Sequence, residues 1–201
     1  MNIHGWQNGF DGLQSKKPDR RQPLPADRGD ARENDRQEID MRRKDRELLD
    51  PARAEAILQA ADCCRLAFAD SDKPYIVPMS FGFAREGGKL CLYFHSAPAG
   101  QKIELIEALG KASFEADTGC QIKTGAEACE FSCYYESVVG YGNIKLLQDD
   151  AEKRHALRVI MAHYTGKQDW EFPPRALAAT CCIRLTVEEM TAKANRPPAA
   201  D

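Results

Sequence analysis

With 201 residues, 43% of them apolar, and a formal net charge of −3, the chain is long enough for one domain with a true core and hardly long enough for two. That charge provides no general attraction to nucleic acid or an anionic membrane. No apolar run approaches the roughly 20 residues that span a bilayer, and the N-terminus lacks an apolar signal segment, so a cytoplasmic protein is expected.

Residues 1–40 are dense in charge, Pro and Gly, as in "SKKPDRRQPLPADRGDARENDRQEID". Such a stretch buries too little to offset its ordering entropy and is expected to be disordered. Met41 then opens "MRRKDRELLDP", which reads like a second natural start. Tail, linker and upstream start choice all stay open for the extension. Residues 41–195 are expected to form a single domain, and 196–201 a flexible tail.

Asp50-Pro51 is a helix opening, an N-cap residue followed by Pro at the first helical position, and Ala54, Ile57, Leu58 and Ala61 mark its buried stripe. "CRLAFA" (64–69) alternates as a strand does. "YIVPMSFGFA" (75–84) reads as a second strand whose Pro78 demands an edge or a bulge. "LCLYFH" (90–95) is a third, and together they form an antiparallel meander. A helix over 98–109 follows, with Ile103, Leu105, Ile106 and Leu109 inward and Gly110 as its stop. "KASFEAD" is strand four, 117–128 a polar Gly-rich loop, and 134–147 strand five, where Gly140 and Gly142 suggest a sharp bend. Asp149-Asp150 open a helix that Gly166 closes. A short helix over 173–178 leads into a long last strand, "TCCIRLTVEEMTAKAN". Six antiparallel strands with few helices favour a mainly β fold, a small closed or split barrel with helices packed outside.

The eight cysteines form no CxxC. Cys63-Cys64 and Cys181-Cys182 are adjacent, and neighbours on a strand point to opposite faces, so they make poor chelates. Free buried thiols are the expected state, with Cys129-x3-Cys133 the one spacing of interest, weak without nearby histidines. No metal site is expected. His155 and His163 lie eight apart in their helix, which rules out a HExxH-type pair.

"YFHSAPAGQKIELIEALG" holds the richest chemistry. A helix N-terminus offers unpaired amides and a positive partial charge. Gly100 permits close backbone approach, Ser96 can donate a hydroxyl hydrogen bond, and Lys102 can reach back over an anion as a point charge. Phosphate uses all three. The same residues are also ordinary: Ser is a common N-cap, and Lys is usually solvated. His95 suits proton transfer or anion contact by its near-neutral titration. Backbone groups freed beside Pro78 can hydrogen-bond a planar ring edge, and "ESVVGYG" leaves room for a flat ligand near Ser137.

Several segments together, "MRRKDREL", "VPMSFGF", "LYFHSAPAGQKIELI", "CEFSCYYESVVGYG", "MAHYTGK" and "EEMTAKAN", resemble in order the nitroimidazole-resistance branch of the pyridoxamine 5′-phosphate oxidase-like flavoproteins, over residues 41–195. The resemblance implies an FMN-binding split barrel and a homodimer with flavin between subunits. It implies that Ser96 and Lys102 hold the FMN phosphate, that Val77, Pro78, Met79 and Ser80 present backbone to the flavin's pyrimidine edge, that Ser137 lies by the phosphate or ribityl chain, and that His95 sits near the flavin as the catalytic residue. The chain departs from the family where Ser80 replaces Asn and Phe131 replaces Trp, and where basic residues are missing near Tyr134 and Glu136; Glu136, opposite in sense to Ser137 on a strand, is expected to face solvent.

The expected function is electron transfer from a transient reduced nicotinamide or a donor protein to a small acceptor such as a nitroaromatic. No GxGxxG follows a strand, so no Rossmann site is expected. The alternative is a flavin or haem carrier without turnover, in which His95 or His163 serves as an axial ligand.

Overall fold

The computed structural model describes residues 44–48, 50–70 and 73–197. The expectations for residues 1–40 and for the last four residues lie outside them. Seven strands form one antiparallel sheet: β1 (Cys64–Asp70), β2 (Lys73–Met79), β3 (Phe81–Glu86), β4 (Lys89–Ser96), β5 (Lys111–Lys123), β6 (Ser132–Leu147) and β7 (Cys181–Asn195). Four helices accompany them: α1 (Pro51–Ala60), α2 (Gln101–Leu109), α3 (Asp150–Thr165) and α4 (Pro174–Ala179).

The strand order is β2-β1-β5-β6-β7-β4-β3. β2 and β3 lie at opposite edges, yet only Ser80 separates them in the chain. A sheet whose two edges are joined by one residue must roll up. The edges meet at Ser80 without pairing along their length, which is a split barrel. The stretch 75–84 is therefore two strands, giving seven in place of six. Pro78 causes no break of its own: it sits on edge strand β2, opposite Arg65 of β1, where a missing N–H costs no ladder bond on the outer side.

The core lies inside this barrel. Leu66, Phe81, Leu92, Phe94, Phe114, Val138, Ile183 and Leu185 are fully buried there, with Ile57 and Leu58 of α1 and Ile103, Leu105 and Ile106 of α2 packed among them. α1 begins as the sequence indicates, Asp50 accepting the Ala52 amide at 2.9 Å. A second, smaller cluster (Cys91, Tyr93, Leu147, Ala156, Ile160, Cys182) lies outside the barrel, where α3 packs on β3, β4 and β7. α3 lies so close to β3 that a Cβ at Gly82 would meet the Val159 carbonyl oxygen at 2.5 Å.

Two expectations shift. β5 runs on to Lys123 and β6 starts at Ser132, so most of the expected 117–128 loop is strand. The pairing survives because a bulge at Thr118–Gln121, with Gly119 at φ 66°, re-registers a polar hairpin that has no apolar alternation to announce it. The bend expected at Gly140 and Gly142 is a register shift against β7, where Gly142 lets the Thr186 carbonyl approach to within 2.0 Å of where a Cβ would stand.

Candidate functional site: the start of helix α2

β4 ends at Ser96 and α2 begins at Gln101, so the strand-to-helix turn of the sequence reading exists as such. The helix N-cap is Gly100 rather than Ser96. Gly100 has φ 122°, which excludes most other residues, and a Cβ there would meet nothing within 4 Å. No side chain caps the helix. Its first amides, those of Gln101 and Lys102, therefore face outward with no preceding turn to bond. Gln101 Nε2 donates to Asp70 Oδ2 at 2.8 Å, which fixes the helix start against the end of β1.

Lys102 is half-buried at the second helical position. Ser96 pairs across the sheet with Cys181 of β7. Burial pushes the Cys181 thiol up; the Lys153 charge lowers it, the Glu107 carboxylate raises it and Lys102 lowers it, so charges of both signs surround this end of β7. Lys153 comes from the first turns of α3 and was not recognisable in the sequence as a neighbour of this strand end, since only the packing of α3 on β7 brings it there. The Ser96 hydroxyl donates to the Ala97 carbonyl oxygen at 2.7 Å and must rotate to serve an anion.

The remaining residues named from the sequence divide into two groups. Phe81 stands opposite Phe94, which leaves Ser80 one step from His95 along the same pairing. Val77 is half-buried, Pro78 and Ser80 exposed, and Met79 buried opposite Cys64. His95 is exposed, and by strand alternation it shares the face of Tyr93 and Cys91, while Ser96 shares that of Phe94. These residues gather at one corner of the barrel. Ser137 does not. It lies on β6 between Asp117 of β5 and Lys193 of β7, and the row through Ala116, Cys64 and Met79 separates it from the β2 edge by three strand steps, roughly 14 Å at the usual spacing. Glu136 is half-buried and forms an ion pair with Arg196, so its charge is met locally.

His163 is a packing residue. Its Nε2 lies 2.9 Å from the Ala61 carbonyl oxygen and its ring 4.6 Å from that of Phe81. Its neighbour Tyr164 accepts the Phe81 amide at 3.0 Å and donates to the Asp62 carbonyl oxygen at 2.9 Å, fastening the end of α3 to the Ser80 junction. His155 faces Glu86 at 2.7 Å in a cleft of about 360 Å³ beneath α3, with Tyr93, Glu152 and Arg184. Against the push of partial burial, the hydrogen bonds of Tyr93 and His155 hold the Glu86 carboxyl below its ordinary range. This cleft is a charge network internal to the α3 face. No described helix is long and apolar enough to cross a membrane.

An open helix start with a lysine and a glycine that admits close approach suits a phosphate tail. No curated protein matches the sequence. Among solved structures, a candidate 5-nitroimidazole antibiotic resistance protein from Bacteroides thetaiotaomicron VPI-5482 is 31% identical, with a TM-score of 0.63 over 75% of this chain and 90% of that one. An FAD-binding protein from Mesorhizobium loti is 25% identical, with a TM-score of 0.53 over 75% and 98%. The flavocytochrome Anf3 from Azotobacter vinelandii, 22% identical, shares the fold with a TM-score of 0.65 over 80% and 74%. The family model described as pyridoxamine 5′-phosphate oxidase matches residues 50–194, and with the split barrel and the ordered motifs this places the chain in the pyridoxamine 5′-phosphate oxidase family, as a relative of its nitroimidazole-resistance branch.

Proposed function

We propose that the protein is an FMN-dependent oxidoreductase that reduces a small acceptor, with nitroaromatics the favoured class. The observation that carries the reading is the uncapped start of α2, with Gly100 open and Lys102 at the second position. Such a site takes a dianion through backbone amides and point charges. The 31% identical relative linked to nitroimidazole resistance favours the acceptor class.

In this reading Ser96 and Lys102 hold the phosphate, and the backbone of Val77, Pro78, Met79 and Ser80 meets the edge of the ring. The flavin group would supply two-electron transfer between a reduced nicotinamide or a donor protein and the acceptor. The chain's own part is to bind, orient and supply a proton, and exposed His95, one step from Ser80, is the candidate donor. Ser137 lies three strand steps along the sheet from the β2 edge of its own chain. In a homodimer the cleft lies between copies, and Ser137 of the partner subunit completes it. The setting is cytoplasmic, with nicotinamide bound only transiently.

Titration of the purified protein with FMN, FAD and riboflavin, read by flavin fluorescence, tests the reading. FMN should bind more tightly than riboflavin, which lacks the phosphate. Lys102→Ala should weaken FMN by about 1.5–3 kcal/mol, the usual worth of a charge-assisted contact, and leave riboflavin unchanged. Equal affinity for FMN and riboflavin would remove the phosphate site from α2.

A further inference from the structure

The β5–β6 hairpin carries two sulfurs that the flavin reading leaves unused. Pairing between the strands proceeds regularly to Thr118–Glu136, shifts, and resumes at Gln121–Tyr134. Gly119 and Cys120 occupy the shift, and the bulge carries Cys120 diagonally across to Cys133. Their Sγ atoms stand 3.1 Å apart, about 1 Å beyond the ~2.05 Å of a disulfide. The sequence had singled out Cys129 as the neighbour of Cys133; the register selects Cys120 instead.

Exposure alone does not single this pair out, since Cys129 is exposed as well; the approach of the two sulfurs does. Cys64, Cys91 and Cys182 are buried, and Cys63 and Cys181 are half-buried. Cys120 is exposed and Cys133 half-buried. The hydrogen bond to Cys133, then the charge of Cys133, hold the proton on Cys120. Asn195 Nδ2 donates to the Cys133 carbonyl oxygen at 2.6 Å, tying that strand to β7 while its side chain stays beside Cys120.

We propose that Cys120 and Cys133 are a reversible dithiol–disulfide pair, closed within one chain by a small peroxide or a low-molecular-weight disulfide. With a peroxide, Cys120 gives up its proton, its thiolate sulfur attacks an oxygen, the O–O bond breaks, and the proton passes to the leaving oxygen, so that water or an alcohol departs as a sulfenic acid forms. Cys133 then attacks that sulfur and expels water. With a disulfide, Cys120 forms a mixed disulfide and releases one thiol, and attack by Cys133 on the Cys120 sulfur releases the second. Either route removes two electrons and two protons from the pair, and a dithiol reductant restores both thiols. The bond would fasten the hairpin across its bulge.

The experiment uses the full-length protein with its eight thiols. It is treated with hydrogen peroxide or oxidised glutathione, denatured, alkylated, and mapped by mass spectrometry without reduction. The expected result is a loss of two thiols, a peptide link between Cys120 and Cys133, and recovery with dithiothreitol. Cys120→Ser and Cys133→Ser should each abolish the link, and Cys129→Ser should leave it intact. A link through Cys129, a covalent dimer in place of the intrachain bond, or oxidation of Cys120 without linkage would overturn the proposal.

Discussion

The two outer faces of the barrel are finished differently. Over β3, β4 and β7, α3 closes the surface with its own apolar layer, and Gly82 gives way so that helix and strand can touch. Over β2, β1, β5 and β6 the outward residues stay at the surface. Ile76 and Val139 are 62% and 50% exposed, Pro78 is exposed, and Arg65 sits between Glu115 at 2.8 Å and Asp117 at 2.5 Å. One face is complete within the chain. The other mixes exposed aliphatic side chains with paired charges.

The sharpest break of that contrast lies at the junction that α3 fastens. Phe81 is fully buried, follows the Ser80 crossing, and meets both His163 and Tyr164. Phe81→Ala should cost about 3–5 kcal/mol of unfolding free energy, since a large cavity opens where the barrel edges join. Chemical denaturation measures it, and a loss under about 1 kcal/mol would show that the junction holds by other means. Next comes Gly82→Ala. In an unobstructed strand, alanine in place of glycine stabilises modestly. Here the added carbon meets Val159 backbone at 2.5 Å, so the expected sign is opposite, a loss of about 1–3 kcal/mol. A rise in melting temperature would mean that α3 yields easily.

The helices were more legible than the sheet. Helix ends announced themselves through local chemistry: Asp149 accepts the Ala151 and Glu152 amides, and Gly110 and Gly166 close their helices in the left-handed conformation. The buried stripes of α1 and α2 followed from apolar spacing, except that Leu109, expected inward, lies exposed in the last turn of α2, where the barrel ends and no described residue covers it. What the sequence concealed was long-range geometry. Nothing in "YIVPMSFGF" marks Ser80 as the point where the chain leaves one sheet edge for the other, because both halves alternate as a single strand would. Cys120 reached Cys133 through a bulge, and the decisive fact is a register, which residue types do not encode locally. Ser137 belongs with these: its neighbours in the motif gave no sign that three strand steps separate it from the β2 edge.

A gentler probe is pH. Cys64 is fully buried in the core, and burial, with smaller contributions from neighbouring charges, pushes its thiol up from an ordinary 9.0 to about 12. Cys182, buried against α3, is pushed up to about 11 for the same leading reason. A raised folded value means that the native state keeps a proton the unfolded chain releases. The stability this contributes is intact below pH 9 and is lost as pH climbs toward the folded values. For Cys64 alone the loss between pH 8 and 10 should be roughly 1 kcal/mol. Cys64→Ala should start from a lower baseline and fall less over that range. Parallel curves for the two proteins would mean that the thiol titrates alike in the folded and the unfolded chain.

The smallest expected effect on the fold carries the most information about the open face. Val139 turns away from the core that Val138 enters and is half exposed, so Val139→Lys removes little packing. Folding stability should stay within about 0.5 kcal/mol of the native value. Association should not. A lysine on each copy would place charge inside the contact if that face joins the two halves of the proposed cleft. Sedimentation at micromolar concentration should then show a native dimer and a variant shifted toward monomer, with FMN affinity falling in step because Ser137 of the partner subunit leaves with it. Dissociation with FMN affinity unchanged would place the whole flavin site on one chain. A variant that still dimerises would move the interface off this face and leave Ile76 and Val139 as ordinary exposed residues.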